Sequence, residues 1–255
     1  MRHVLSALVV MGIVSGSALA QEADYTARRD ADLDARGARS LRVEAKAGSL
    51  RIEGRSGISE VRVRGTARAS HERWLDDIQL RTERRGDEIE VVVDIPSWSW
   101  TGVGRAYKGL DLVIEVPATL ALDVVDGSGS IVIAGTGPVR VRDGSGEIDV
   151  RDIEGSVDIT DGSGEIVLRT VRGNVRIDDG SGEVEIEDVR GNVEIVDDGS
   201  GSLSIARVTG WVEVHDAGSG TVRVSDVGGD LTVRDTRRSR VRYDNVRGAV
   251  RIADR

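Results

Sequence analysis

Five aspartates, Asp126, Asp143, Asp161, Asp179 and Asp198, each stand immediately before a Gly-Ser-Gly triplet. A sixth triplet follows Ala217. The first glycines of the six (Gly127, Gly144, Gly162, Gly180, Gly199 and Gly218) are 17, 18, 18, 19 and 19 residues apart. Carboxylates recurring at such an interval can stack about one strand spacing, ~4.8 Å, from one another. They would then repel, and calcium between them would relieve the repulsion. Asp143, Asp161, Asp179 and Asp198 are therefore candidate calcium ligands. The competing reading is a turn, in which each aspartate accepts a hydrogen bond from its own backbone two residues on and glycine supplies positive φ. The turn is the better match. Asp-Gly-Ser-Gly-Glu lacks the alternating acids of a helix-loop-helix calcium loop, and calcium-binding β-rolls use a shorter, more glycine-rich unit. The sequence thus assigns no metal and no cofactor. A phosphate loop is excluded because lysine and a following helix are missing.

Other chemistry is sparse. There is no cysteine, and beyond residue 20 the histidines are His71 and His215. His215 adjoins Asp216 but falls on an outward strand position, so no nucleophile, base and orienting group come together and no catalytic residue is assigned. The rare aromatics say more. "PSWSWTGVGRAYKG" puts Trp98, Trp100 and Tyr107 in a glycine-containing loop between two strands. Alternation turns both tryptophans to one side, where they suit a sugar face or a protein partner, or else cover an open end of the fold. Trp211 stands where neighbouring repeats have Ser156, Asn174 and Asn192, and so is expected to point outward. The last 25 residues carry eight arginines, among them Arg237, Arg238, Arg240 and Arg242, against three aspartates. That charge either protects a terminal strand edge from further pairing or forms a basic patch for anionic envelope polymers. The candidate ligand-binding set is Trp98, Trp100, Tyr107, Trp211, Arg237, Arg238, Arg240 and Arg242.

The background composition limits the class. Thirty-two of 255 residues are glycine, with three prolines and no phenylalanine, which suggests many tight turns rather than a collagen or a linker. A net charge of −9 argues against a nucleic-acid partner. Residues 1–20 read as a secretory signal peptide: Arg2, an apolar run from Val4 to Val14, and small residues at Ala18 and Ala20 before cleavage at Gln21. The run is shorter than the ~20 residues that span a bilayer. No transmembrane segment is expected after cleavage, and the absence of a cysteine at that point excludes a lipoprotein. The product is expected to be exported, to the periplasm or to the cell surface, and to do without disulfides.

Residues 21–39 have few large apolar residues and no period, and read as a flexible lead-in. From Ser40 the chain alternates: Leu41/Val43, Leu50/Ile52, Val61/Val63 and Ile89/Val91/Val93 mark half-buried strands. "HERWLDDIQLRTERRGDE" has room for one short helix. Residues 40–125 are read as irregular strands with a loop over 96–109, and residues 126–255 as regular repeats. Each repeat holds two short strands, one Gly-Ser-Gly corner and one single-glycine corner (Gly155, Gly173, Gly191, Gly210, Gly229, Gly248). One unit buries too few side chains to offset its ordering entropy, whereas stacked units share ladders of Val, Ile and Leu. The expected fold is all-β. It is a β-solenoid, a single-stranded, right-handed β-helix-like stack of 18–19-residue two-strand coils with a strand-rich N-terminal part. The alternative is an antiparallel sandwich with the triplets as hairpin loops.

Repeats of the form GxIxVxxVxGxVxIxxxSG, densest in "VRGNVRIDDGSGEVEIEDVRGNVEI" and preceded by an "IEVP" strand, resemble the bacterial putative-adhesin family, related to the head-GIN domains. The resemblance covers Ser40 to Arg255, departs at "TRRS" (Thr236 to Ser239), and implies exported β-strand-repeat domains with no catalytic residues to carry over. The reading is a non-enzymatic envelope or surface interaction module that binds an envelope polysaccharide or a surface protein. A periplasmic structural or envelope-stress-sensing protein is the alternative, and a carbohydrate-active β-helix enzyme is third.

Overall fold

The computed structural model describes residues 25–96, 106–236 and 239–253. The signal peptide expected over residues 1–20 lies outside them. The N-terminal strands are β1 (Tyr25–Asp34), β2 (Ser40–Glu44), β3 (Leu50–Arg55), β4 (Glu60–Ala69), β5 (Gln79–Arg85), β6 (Glu88–Asp94) and β7 (Lys108–Pro117). The repeats follow as β8 (Ala121–Val125), β9 (Ile131–Ala134), β10 (Val139–Asp143), β11 (Ile148–Ile153), β12 (Val157–Asp161) and β13 (Ile166–Val171). Next come β14 (Val175–Asp179), β15 (Gly182–Val189), β16 (Val193–Asp198), β17 (Ser200–Val208) and β18 (Val212–Asp216). The chain ends with β19 (Ser219–Val227), β20 (Leu231–Asp235), β21 (Arg240–Val246) and β22 (Val250–Ile252).

These strands form a β-solenoid of about 7 turns of ~19 residues. Each coil contributes one strand to each of two 11-stranded sheets, and the sheets enclose the core. Successive coils pair in parallel and in register, so that Ile148, Ile166, Val184, Leu203 and Val222 form one ladder and Val139, Val157, Val175, Val193 and Val212 another. All are 3% exposed or less. The core between the two sheets is filled by branched aliphatic side chains from both. No helix among the described residues is long and apolar enough to cross a membrane.

The N-terminal part is more regular than its sequence suggests. β2 pairs in parallel with both β6 and β8, and β3 with both β7 and β9, so the β2–β3 coil is inserted between coils made later in the chain. Its corner, "AKAGS" over 45–49, bridges to the first Gly-Ser-Gly corner through Ala47 and Ser128. Beyond β6 and β7 the pairing turns antiparallel, with β4 on β7, β1 on β4 and β5 on β6. The expected flexible lead-in is thus corrected over Tyr25–Asp34, which is a ten-residue strand. Its inward residues Ala27, Ala31 and Leu33 are small or few, so the signal was weak, yet they pack on the core. The helix expected nearby is a 3-10 turn, Glu72–Asp77. It is fastened to β1 by Arg29, which donates to the carbonyls of Leu75 and Ile78 at 2.9 Å.

Two kinds of corner set the coil. At the triplet corner the second glycines, Gly129, Gly146, Gly164 and Gly182, have φ between 137° and 152°, and a Cβ at Gly164 would overlap the Gly146 carbonyl oxygen one coil below. At the opposite corner six non-glycine residues take the left-handed conformation: Asp152, Thr170, Asp188, Arg207, Asp226 and Asn245 (φ 48° to 60°). Asp and Asn tolerate this region, but β-branched Thr170 does not. Gly164→Ala is therefore expected to destabilise the fold by about 3 kcal/mol or more, read as a fall in Tm. Thr170→Asn should stabilise it by about 1 kcal/mol; a lower Tm for Thr170→Asn would contradict this account of the corner.

Candidate binding site

The single-glycine corners carry two columns of side chains, one residue to either side of the glycine. On the far side Ser156, Asn174, Asn192, Trp211 and Asp230 stand one above another. Ser156 Oγ accepts from Asn174 N–H (3.3 Å), Asn174 Oδ1 from Asn192 N–H (2.9 Å) and Asn192 Oδ1 from Trp211 N–H (3.0 Å). An amide oxygen thus satisfies the backbone of the next coil. Trp211 ends this run, because an indole has no acceptor to offer, and its ring is left 39% exposed.

On the near side the column reads Glu154, Arg172, Arg190, Thr209, Gly228 and Arg247. The small pair Thr209 and Gly228 leaves a depression of about 580 Å³, walled by Arg190, Arg207, Asp226, Asn245 and Arg247. Across the corner lies a second, of about 490 Å³, lined by Gly210, Trp211, Glu213, Gly229, Asp230 and Thr232. The Thr209–Gly210 and Gly228–Gly229 backbone runs between them, so the corner carries an open trough on one side and, on the other, a depression lined by Trp211. Its charges differ in availability. Arg207 is held by Asp188 (2.6 Å) and Glu187 (2.8 Å) and Arg172 by Glu154 (2.9 Å). The Arg207 guanidinium keeps the Asp188 carboxyl below the usual range. Among the described residues the side chains of Arg190 and Arg247 make no ion pair or hydrogen bond. They lie three coils apart, roughly 14 Å at ~4.8 Å per coil.

The other candidates are scattered. Trp98, Trp100, Arg237 and Arg238 lie outside the described residues. Tyr107 is 39% exposed, but its backbone is tied to Ser70 just before β7. In the same sheet β7 and β17 are six strands apart, roughly 29 Å, so Tyr107 and Trp211 share no site. Arg240 and Arg242 are exposed on β21, the terminal strand of its sheet, and Arg240 begins that strand at the triplet corner, across the sheet from Trp211. His215 bonds to Glu194 (3.1 Å), while Asp216 accepts from Gly218 N–H, so the two neighbours form no pair.

The corner aspartates point inward. Along β12 the burial alternates and Asp161 follows Val157 and Ile159 into the core. Asp126, Asp143, Asp161, Asp179 and Asp198 are 6, 8, 5, 1 and 1% exposed. The expected bond two residues on survives at Asp179 with Ser181 N–H (3.3 Å), and Asp143 instead takes Gly144 N–H (2.8 Å). Among the described residues no three acidic or histidine side chains converge on a point that could hold a metal ion.

No family model matches the chain, and no curated protein matches it. Solved structures similar to it include the following three. A putative cell adhesion protein from Clostridium sporogenes is 14% identical with a TM-score of 0.37, covering 91% of this chain and 100% of its own. Putative adhesins from Parabacteroides distasonis (11%, TM-score 0.42) and Bacteroides fragilis (12%, TM-score 0.30) each cover 91% of this chain and 97% of their own.

Proposed function

We propose that the chain is a non-enzymatic, exported interaction module of adhesin type, directed outward by residues 1–20, whose single-glycine corner binds an extended envelope polysaccharide. The observation that carries this reading is Trp211, an exposed indole that follows two asparagines in its column and lines an open depression across the corner from the trough. Its flat face suits the C–H face of a pyranose ring. Around it Thr209 and Thr232 offer hydroxyl groups to sugar hydroxyls, and Arg190 and Arg247 offer unengaged guanidinium groups to acidic substituents. The trough crosses several coils and is open to solvent, which fits a segment of polymer better than an enclosed small substrate.

Binding to a glycan array or to immobilised cell-envelope polymers is the direct test. Trp211→Ala should weaken binding at least roughly tenfold, the scale of one lost aromatic contact (~1.4 kcal/mol), with Tm unchanged because the ring is half outside the fold. Arg190→Ala combined with Arg247→Ala should weaken acidic glycans only, and abolish the salt dependence of their binding. Undiminished binding by Trp211→Ala, or no binding by the wild type to any glycan or envelope polymer, would refute the proposal.

A further inference from the structure

The five aspartates form one continuous inward column. Register stacks Asp143 on Asp161, Asp161 on Asp179 and Asp179 on Asp198. The β8–β10 pairing places Asp126 below Asp143. Ala45 occupies the position below Asp126, and Ala217 and then Thr236 those above Asp198. Both alanines are buried too, 9% exposed or less, so the position belongs to the core and accepts an apolar side chain. Eight of the ten carboxylate oxygens have no hydrogen-bond partner: both of Asp126, Asp161 and Asp198, and Oδ2 of Asp143 and Asp179.

Among the described residues nothing cationic answers them. Besides one another, the charged groups that act on the column are Asp178 and Asp197, and both are acidic. Lys46, in the coil below Asp126, is exposed, and His215 is engaged by Glu194 on the outer face. From the other sheet the first inward residues of β11, β13, β15 and β17 are Ile148, Ile166, Val184 and Leu203, all apolar. Five adjacent carboxylates cannot all ionise in such a place. Because each coil turns only one carboxyl inward, a point in the column faces too few ligands for a calcium ion. A proton needs only two oxygens.

We propose that the aspartate column is a proton-binding site. On folding it takes protons from solvent and shares them between coils, each protonated carboxyl donating its O–H to an oxygen of the neighbouring carboxylate. The same protons return to solvent when the coils separate. Burial first, and the adjacent aspartates second, push Asp161 to about 6 and Asp198 to about 7. Asp126 rises to about 6 for the same reasons, and Asp143 and Asp179 are raised chiefly by burial. Neighbouring N–H groups of Gly127, Ser128, Gly162 and Ser163 pull the other way without completing hydrogen bonds to Asp126 and Asp161. An unfolded aspartate titrates near ~3.9, so between about pH 4 and 7 the folded chain holds more protons than the unfolded one. Stability contributed by the column is therefore full below ~4 and is lost as pH rises toward 7. The site rests on coil geometry alone and is independent of the trough.

Thermal unfolding of the mature chain at pH 5 and pH 8, at constant ionic strength and with and without EDTA, tests this. The wild type should melt several degrees higher at pH 5 than at pH 8. If two protons are shared, the unfolding constant rises about 100-fold per pH unit within the window, and unfolding at pH 6 releases protons to the buffer. The triple variant Asp126→Asn, Asp161→Asn, Asp198→Asn should lose most of that slope and gain stability at pH 8. Should it not fold, Asp198→Asn alone must reduce the slope. An equal slope in the variant, which would assign it to His215 or surface pairs, overturns the proposal. So does a Tm independent of pH from 5 to 8, or a Tm lowered by EDTA and restored by calcium.

Discussion

Backbone hydrogen bonding from each coil to the next, in strict register, is the constraint on which this molecule depends. A parallel ladder satisfies the N–H and C=O groups of one coil only if the next coil has the same length and turns at the same places. The near-constant 18–19-residue repeat follows from that requirement. So does the recurrence of glycine at two corners, where one backbone lies directly on another and a side chain would push the coils apart. The left-handed residues at the opposite corner repeat for the same reason. Once one coil turns in a strained conformation, its neighbours must copy it to keep the ladder.

The same constraint turns single residues into columns, and columns decide what the surface and the core can do. Asn174 and Asn192 relay hydrogen bonds along the corner, so an indole at Trp211 interrupts a structural run and frees a ring for contact with solvent. Thr209 and Gly228 stand in a column of long side chains, and their small size opens the trough between Arg190 and Arg247. A binding site on such a fold is made by substitution within a column, not by a separate loop.

Inside, the column principle has a cost. One buried acid is a local matter that a turn hydrogen bond can settle. Five at the spacing of the coils act on each other, and with most of their oxygens unpartnered the proton is the neutraliser that fits. The ends of the stack differ as well. Antiparallel β1, β4 and β5 with a 3-10 turn cover the first coils. At the other end Tyr243 and Ile252 hold inward positions yet are 52 and 43% exposed, because β21 and β22 are the edge strands of their sheets among the described residues.

Local pattern alone determined the all-β class, the two-strand coil, the position of both corners and the outward Trp211, since alternation and an 18–19-residue period are properties of the chain read in order. The inward aspartates were legible in principle: counting from Val157 and Ile159 puts Asp161 on the buried side. The Asp-Gly pair drew the reading to the turn hydrogen bond and away from the direction of the side chain. Only the tertiary structure decided that β2–β3 sits between later coils, that Ala27 and Ala31 suffice for a strand when β4 offers a hydrogen-bonded edge, and that Tyr107 and Trp211 lie far apart. Those outcomes depend on pairing between residues distant in sequence, and backbone hydrogen bonds carry no side-chain signature from which a partner strand can be read.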